Sequence, residues 1–301
     1  MGEWLISLEG TDSGRQLAMV LAIAAAALHA IFGALQKGRH DPWLSRGAID
    51  FSYFLMALPI ALFIVPWPEP HLWPLLCGVT VIHLIYKLFQ VTSYDRGAYT
   101  VVYPVMRGTG PLVTVLAAGV VFGETFNLVQ WGGVLLLTLA IFGLAGINLR
   151  ATPVGRRRLF VGLVLAFFTG IMVATYTTYD AYVIRQAADP FTVVFWFYVF
   201  DGVLFPLITL RHYHRLEIKP DLGPLALRGV IGGLVAFGSF SSIMLATRLD
   251  KVGEAAVLRE TSVVFAALIG WLFLKERVGL LRAGLMVAIA GGAILVEFGG
   301  V

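Results

Sequence analysis

Cysteine and charged residues are both scarce in this sequence, and each shortage excludes a class of protein. The 301 residues include one cysteine, Cys77, so the chain has no partner for an internal disulfide and no thiol cluster for a metal. Charged residues make up 13% of the chain, about half of what soluble domains usually carry. These shortages argue against a soluble fold of this length and against redox chemistry on paired thiols.

Recognisable catalytic and metal-binding patterns are also missing. We find no Asp-x-x-x-Asp pair, no His-Glu-x-x-His zinc pattern and no Gly-x-Ser-x-Gly nucleophile turn. The sequence therefore predicts no catalytic residue, no metal and no cofactor. An intramembrane enzyme acting on a lipid or a buried peptide remains the alternative to transport, and a chemically changed product would distinguish it.

Long apolar segments dominate what is present. Apolar residues make up 58% of the chain and the mean hydropathy is +0.84. About 20 such residues form a helix that crosses a bilayer. The first sixteen residues lack the apolar core of a signal peptide, and the links between spans are too short for a further domain. We predict ten membrane-spanning helices, at 17–37, 44–66, 72–94, 98–122, 129–149, 159–182, 191–210, 223–247, 252–274 and 280–298.

Basic residues at the helix ends account for the net charge of +4, so we expect contact with lipid headgroups and none with nucleic acid. Lys and Arg are more frequent near the odd-numbered links. By the positive-inside rule, this places both termini outside the cytoplasm.

An internal repeat organises these spans. A shift of 152 residues superposes four pairs: Arg107 on Arg259, Thr109 on Thr261, Glu124 on Glu276 and Gly132 on Gly284. Each half contains five spans, an odd number, so successive halves must insert with opposite orientations. The pattern predicts two inverted five-helix repeats, 17–149 and 159–298, around a central cavity, which is typical of alternating-access transporters.

Two short motifs carry a resemblance to a known family. Phe122-Gly-Glu124 is followed by Gln130-Trp-Gly-Gly133, and Leu274-Lys-Glu276-Arg277 is followed by Arg282-Ala-Gly284. In this ten-span frame the chain resembles the EamA type of the drug/metabolite transporter superfamily. The resemblance implies export or exchange of small metabolites, and it implies cytoplasmic termini, in conflict with the basic-residue count. We expect a monomer or homodimer in the inner membrane of a prokaryote.

Arg107 and Arg259 are the first candidates for a binding site. A cation inside a span costs at least about 2.5 kcal/mol, so each requires a partner, water or a function. Their equivalent positions predict that they approach each other and bind the carboxylate, phosphate or phosphonate group of an anionic or zwitterionic solute, with Tyr103 nearby. The alternative is that an acid on a neighbouring helix neutralises each one. Two prolines and two glycines between Tyr103 and Pro111 predict a kinked or locally unwound fourth span, whereas Arg259-Glu-Thr-Ser262 predicts no such break.

Three acidic residues are candidates for proton coupling or charge balance: Glu260, Asp201 and Asp180. Glu260 projects about 100° away from Arg259 around the helix, so we expect it to face another helix or the cavity. A carboxylate there either carries a proton during transport or forms a fixed ion pair.

Further polar and aromatic residues are candidates for substrate binding. His83, Lys87 and Gln90 form a polar stripe on the third span, with Lys87 alternatively reaching the interface. His29 near the centre of the first span is either a ligand contact or a structural histidine. Aromatic residues that can line a cavity are Tyr176, Tyr179, Tyr182, Trp196 and Tyr198, and Tyr176 and Trp196 are the preferred ones.

Overall fold

A computed structural model of the chain describes residues 2–36, 41–96, 99–151, 156–274 and 279–300. Across these ranges the protein is helical and has no strands, which confirms the predicted all-α membrane fold. Glu276 of the second motif lies outside the described residues. The helices are α1 (Glu3–Ser7), α2 (Asp12–Gln36), α3 (Pro42–Phe63), α4 (Leu72–Arg96), α5 (Tyr99–Phe122), α6 (Leu128–Ala151), α7 (Arg156–Gln186), α8 (Pro190–Arg215), α9 (Leu222–Leu249), α10 (Val252–Arg259), α11 (Ser262–Leu274) and α12 (Leu280–Phe298).

Nine of these helices are long and apolar enough to cross a membrane, counted over the described ranges. They correspond to nine of the ten predicted spans. The remaining predicted span, 252–274, consists of α10 and α11, which are too short individually to be counted. The short helix α1 was not predicted; its Leu5 side chain is buried against the helical bundle.

The interruption between α10 and α11 corrects the prediction of an unbroken ninth span. Glu260 and Thr261 form a turn in which the amides bond three residues back, to Val257 and Leu258. The Val263 amide, which would bond to the Arg259 carbonyl in a continuous α-helix, bonds to the Glu260 carbonyl, and the Arg259 carbonyl accepts from a partner on another helix. No proline or glycine marks this break, because its cause is a tertiary contact described below.

The prediction of local unwinding around Arg107 was wrong. α5 is one continuous helix from Tyr99 to Phe122 with Pro104 and Pro111 inside it. Each proline removes one backbone donor, but the helix is packed along its length against α7, where Gly170 approaches the Met106 carbonyl and Thr109. Packing of this kind maintains a helix that propensity alone would interrupt.

α3 and α8 begin in the same way and pack against each other as an antiparallel pair. Asp41 and Asp189 accept hydrogen bonds from the first amides of these helices, and a proline follows each aspartate. Gly47 near the start of α3 lies against Thr209 near the end of α8. Near the middle of both helices, Gly202 lies against Phe54.

Glycines also allow α6 and α12 to pack closely against each other. A Cβ atom on Gly133 would lie 2.6 Å from the Gly292 carbonyl oxygen, and a Cβ on Gly292 would lie 2.6 Å from the Gly133 carbonyl oxygen. Near the helix ends, Gly299 contacts Val129, so this pair is antiparallel too. The other extensive packing joins α2 to α9, α4 to α7, α5 to α7 and α3 to α9.

The end of the bundle that carries both termini is held together by polar contacts, some between the two halves of the chain and some within the second half. Gly123, with φ of 68°, ends α5 and turns the chain so that Glu124 accepts hydrogen bonds from the amides of Val252 and Gly253 at the start of α10. Arg185 donates to the carbonyls of Thr247 and Asp250. We call this set of contacts the terminal belt; its other members include Arg248 with the Ile184 and Ala187 carbonyls, Gln130 with Glu254, and the Gly2 amide with Asp189.

Candidate functional site

Arg107 of α5 lies across the break between α10 and α11. Its Nε atom is 2.7 Å from Glu260 Oε2, and one terminal nitrogen donates to the Arg259 carbonyl at 3.3 Å and to Ser262 Oγ at 3.2 Å. Tyr103, one turn earlier on α5, interacts with Glu260 and Ser262. The Arg107 guanidinium thus donates to a carbonyl that has lost its partner within the helix at the break. Its positive charge lies at the carboxyl end of α10, where the helix dipole favours a cation.

Arg259 differs from Arg107 in the groups that contact its guanidinium. A terminal nitrogen donates to Thr177 Oγ1 at 3.1 Å, and the guanidinium carbon lies 5.9 Å from the centre of the Tyr176 ring. The side chain is only 3% exposed. Within the described part of the chain, no carboxylate oxygen lies within 4.0 Å of it and its Nε has no hydrogen-bond partner. Arg259 is therefore a buried cation whose donors are only partly satisfied.

A small cavity of about 10 Å³ adjoins Arg259. Its polar wall comes from α7 and α10 and its apolar wall from α9. That volume is close to what one water molecule needs, so the cavity is nearly closed in this conformation. The lining residues are Tyr176, Thr177, Asp180, Phe240, Ile243, Met244, Thr247 and Arg259.

Lys87 is the centre of a second buried cluster, formed by α3, α4 and α8. Its Nζ atom lies 2.7 Å from Asp50 Oδ2 and 2.7 Å from Asp201 Oδ1, and it donates to the Tyr53 hydroxyl at 3.1 Å. Arg46 adds a further contact, with its Nε 2.8 Å from Asp50 Oδ1. Lys87 is 1% exposed, which excludes the alternative that its ammonium reaches the membrane interface in this conformation.

His83 connects this cluster to the cavity. Its Nε2 atom is 2.9 Å from Asp180 Oδ2, and its Nδ1 atom is 3.8 Å from Asp201 Oδ1. The imidazole ring packs against Tyr176, with 4.6 Å between ring centres. The predicted polar stripe on α4 is therefore directed inward, and its histidine touches a residue that lines the cavity.

The structure brings most of the predicted site residues together, but it separates some of them. Gln90 lies beside Arg46 and Tyr86, and His29 packs against the rings of Phe32 and Phe240. Trp196 instead belongs to an aromatic cluster with Trp67 and Trp73. The other predicted tyrosines also lie apart from the arginines: Tyr179 bonds to the Leu75 carbonyl, Tyr198 to the Phe237 carbonyl, and Tyr182 is 40% exposed.

Sequence reasoning missed four residues of the site: Arg46, Asp50, Tyr53 and Thr177. Arg46 follows closely on the predicted start of the second span, where a basic residue is typical of a helix end. The available signal was its spacing of four residues from Asp50, which places opposite charges on one helix face. Tyr53 and Thr177 carry no charge, and nothing in the sequence distinguishes them from packing residues.

Comparison with known proteins agrees with this architecture. Residues 160–298 match the model of the EamA-like transporter family, which confirms the predicted resemblance. A solved crystal structure of a protein 17% identical in sequence superposes with a TM-score of 0.74, over 94% of this chain and 96% of the other, and supports the fold. An uncharacterized protein of Sinorhizobium fredii, y4nH, is 34% identical over 77 residues, which are 26% of this chain and 66% of that protein.

Proposed function

We propose that this chain, whose residues 160–298 match the EamA-like transporter family, is a secondary transporter of small organic metabolites bearing a carboxylate or phosphate group. It exports or exchanges them by alternating access. The observation that carries the proposal is the state of Arg259: it is buried, it borders a cavity, and no carboxylate lies within 4.0 Å of it among the described residues.

The chemistry of the guanidinium defines the substrate class. Its planar fork of donors matches the two oxygens of a carboxylate or the oxygens of a phosphate. Burial strengthens the attraction for an anion, because a low-dielectric site screens charge less than water does. Arg107 plays a different part in this conformation, since Glu260 already meets its charge and it holds the broken helix around Arg259.

Alternating access is supported by the pairing of helices. In the proposed inverted repeat the units are 17–149 and 159–298, so α3 is equivalent to α8 and α6 to α12. Each of these equivalent pairs packs against its own counterpart in antiparallel fashion. A twofold axis in the membrane plane gives equivalent helices this antiparallel orientation. The terminal belt then closes one end of the bundle, and rocking of the two units would open it.

Counterflow in proteoliposomes tests the proposal. Vesicles are preloaded with one unlabelled solute, and entry of the same labelled solute is followed; the panel is L-malate, L-glutamate, glycerol 3-phosphate and 3-phosphoglycerate, with choline as a cation for comparison. We expect saturable counterflow of at least one anion. The Arg259→Gln variant should lose it, whereas Arg211→Gln, which removes an exposed arginine at the end of α8, should retain it. Equal counterflow in the wild type and Arg259→Gln would reject Arg259 as the anion site.

The membrane assignment extends this proposal. The protein is an integral multi-pass membrane protein, and we place it in the inner membrane of a bacterium, as a monomer or homodimer. The bacterial origin of the matched relative favours that location.

A further inference from the structure

The buried ionisable groups of the spans are balanced in number. Among the described residues, four cationic side chains and four carboxylates are buried within the spanning bundle away from the terminal belt. The cations are Arg46, Lys87, Arg107 and Arg259, and the carboxylates are Asp50, Asp180, Asp201 and Glu260. The charges of these four cations and four carboxylates cancel. Any anion that enters would therefore bring in an uncompensated negative charge, and isolated charge in a low-dielectric interior is costly.

Close ion pairs account for all but two of these eight groups. Glu260 pairs with Arg107, while Asp50 and Asp201 share Lys87, with Arg46 also on Asp50. The two that remain are Arg259, whose hydrogen-bond partner is Thr177, and Asp180, whose partner is His83.

Arg259 and Asp180 border the same cavity. Asp180 is 4% exposed and Arg259 3%, and each has a buried polar atom, Asp180 Oδ1 and Arg259 Nε, without a hydrogen-bond partner in the described chain. They form no ion pair within 4.0 Å, yet both line one cavity of about 10 Å³. In the empty site, Asp180 is thus the distant counter-charge of Arg259.

We infer that the His83–Asp180 pair takes up one proton for each substrate anion that binds at Arg259, so that proton and anion cross the membrane together. The inference rests on the proposed function and specifies its coupling; it favours exchange over net export, because an inward proton gradient would oppose export of a proton with the anion. When the anion satisfies Arg259, the charge of Asp180 loses its counterpart. A proton from the solution then binds between His83 Nε2 and Asp180 Oδ2, restores neutrality, and leaves with the anion on the other side. The N–H or O–H bond that this proton forms breaks again on release, and the moving complex carries no added charge for a monovalent anion.

The other groups facing His83 do not offer an equivalent proton site. Asp201 on α8 contacts Lys87 and Tyr53, and through Lys87 the cluster continues to Asp50 and Arg46 on α3. From α4 and α7, the rings of Tyr86 and Tyr176 pack against the imidazole. Arg259 of α10 borders the cavity beside Asp180. Of the carboxylates around His83, Asp180 is the one without a lysine or arginine within 4.0 Å among the described residues.

Proton movement that accompanies substrate entry tests the inference. Proteoliposomes contain the pH indicator pyranine, equal potassium on both sides with valinomycin holds the membrane potential at zero, and the panel anion that shows counterflow is added outside. We expect the lumen to acidify by one proton per molecule that enters. In a second arm, an imposed inward proton gradient should accelerate entry of the same anion.

Two variants of the pair and one matched control make the test specific. Asp180→Asn keeps the side chain at position 180 uncharged. The anion should still enter this variant, but more slowly and without acidification of the lumen. Its entry should also become sensitive to membrane potential. His83→Gln should also reduce the proton-to-anion ratio. The control, Glu254→Gln, removes a buried carboxylate of the terminal belt that pairs with Lys251. It should retain the ratio of one proton per anion.

The outcomes separate the inference from the proposed function. If no panel anion shows counterflow in the wild type, the proposed function fails, and the coupling fails with it. If counterflow occurs without acidification, or if Asp180→Asn acidifies the lumen as the wild type does, only the coupling is overturned. Transport by Asp180→Asn and His83→Gln is compared only after both variants match Glu254→Gln in size-exclusion and thermal-unfolding profiles.

Discussion

Arg107 Nε lies 2.7 Å from Glu260 Oε2, and this contact joins the fourth predicted span to the break in the ninth. The same guanidinium donates to the Arg259 carbonyl, which has lost its partner within the helix. One side chain of the first half therefore fixes the geometry in which the second half presents Arg259. This relationship separates two roles for arginines that the internal repeat makes equivalent.

The first prediction follows from that pair. Arg107→Gln leaves the Glu260 carboxylate buried without its cation, and breaking a buried pair in this way costs about 3–5 kcal/mol. We expect a clear loss of thermal stability in detergent. The double variant Arg107→Gln/Glu260→Gln removes both charges of the pair and should recover most of the loss. A double variant as unstable as the single one would show that Arg107 acts through the helix break alone.

Lys87 gives a second prediction of the same kind. Lys87→Gln removes the cation shared by Asp50 and Asp201, so two carboxylates must remain buried with Arg46 as the nearest cation. We expect destabilisation of about 3–5 kcal/mol, measured by thermal unfolding. Lys87→Gln/Asp201→Asn should be more stable than Lys87→Gln. If the added substitution lowers stability further, the close contacts of Lys87 do not reflect its energetic role.

The contact between α6 and α12 gives a third prediction, with a control one residue away. In Gly133→Ala the new Cβ would lie 2.6 Å from the Gly292 carbonyl oxygen, so the helices must separate, at about 1–3 kcal/mol. In Gly132→Ala nothing lies within 4 Å of the new Cβ, and alanine is the better helix former. Thermal unfolding of the two variants should therefore differ in sign. Equal behaviour would contradict the close packing.

Sequence patterns predicted the membrane fold and the proximity of Arg107 and Arg259, because span length and repeat position depend on local composition and order. The break at Glu260–Thr261 was beyond such reasoning. Its local sequence contains no helix breaker, and the contacts that stabilise it come from Arg107, 152 residues earlier in the chain. The reverse error occurred at Pro104 and Pro111, where packing against α7 maintains a helix that the local sequence disfavours.

The candidate site was predictable only in its charged members. Arg259, Asp180 and His83 stand out because ionisable residues are rare inside spans. Their pairing was not predictable, since which carboxylate meets which cation depends on the rotation of each helix. Trp196 shows the same limit: it was expected near the substrate, and it packs with Trp67 and Trp73.

Glu124 provides a fourth prediction, on the terminal belt. Glu124→Ala leaves the amides of Val252 and Gly253 without their acceptor, and an unsatisfied donor costs about 1–3 kcal/mol. We expect lower thermal stability. Glu124→Gln retains one acceptor oxygen and should lie closer to the wild type. Alanine and glutamine variants of equal stability would show that solvent replaces these hydrogen bonds.

The pH dependence of stability gives the last prediction, again at Glu124, which lies in the link between α5 and α6. Burial raises the pKa of this carboxyl above 4.5, and the amides of Gly253 and Val252, followed by Arg185, offset that rise only in part. The unfolded chain therefore loses the proton near pH 4.5, while the folded chain keeps it to a higher pH. Because the folded state binds more protons across this interval, the free energy of unfolding falls as pH rises through it. Glu124→Gln cannot titrate, so unfolding temperatures measured from below pH 4.5 to neutrality should fall less with pH in this variant than in the wild type. Parallel curves would mean that Glu124 has the same proton affinity in both states.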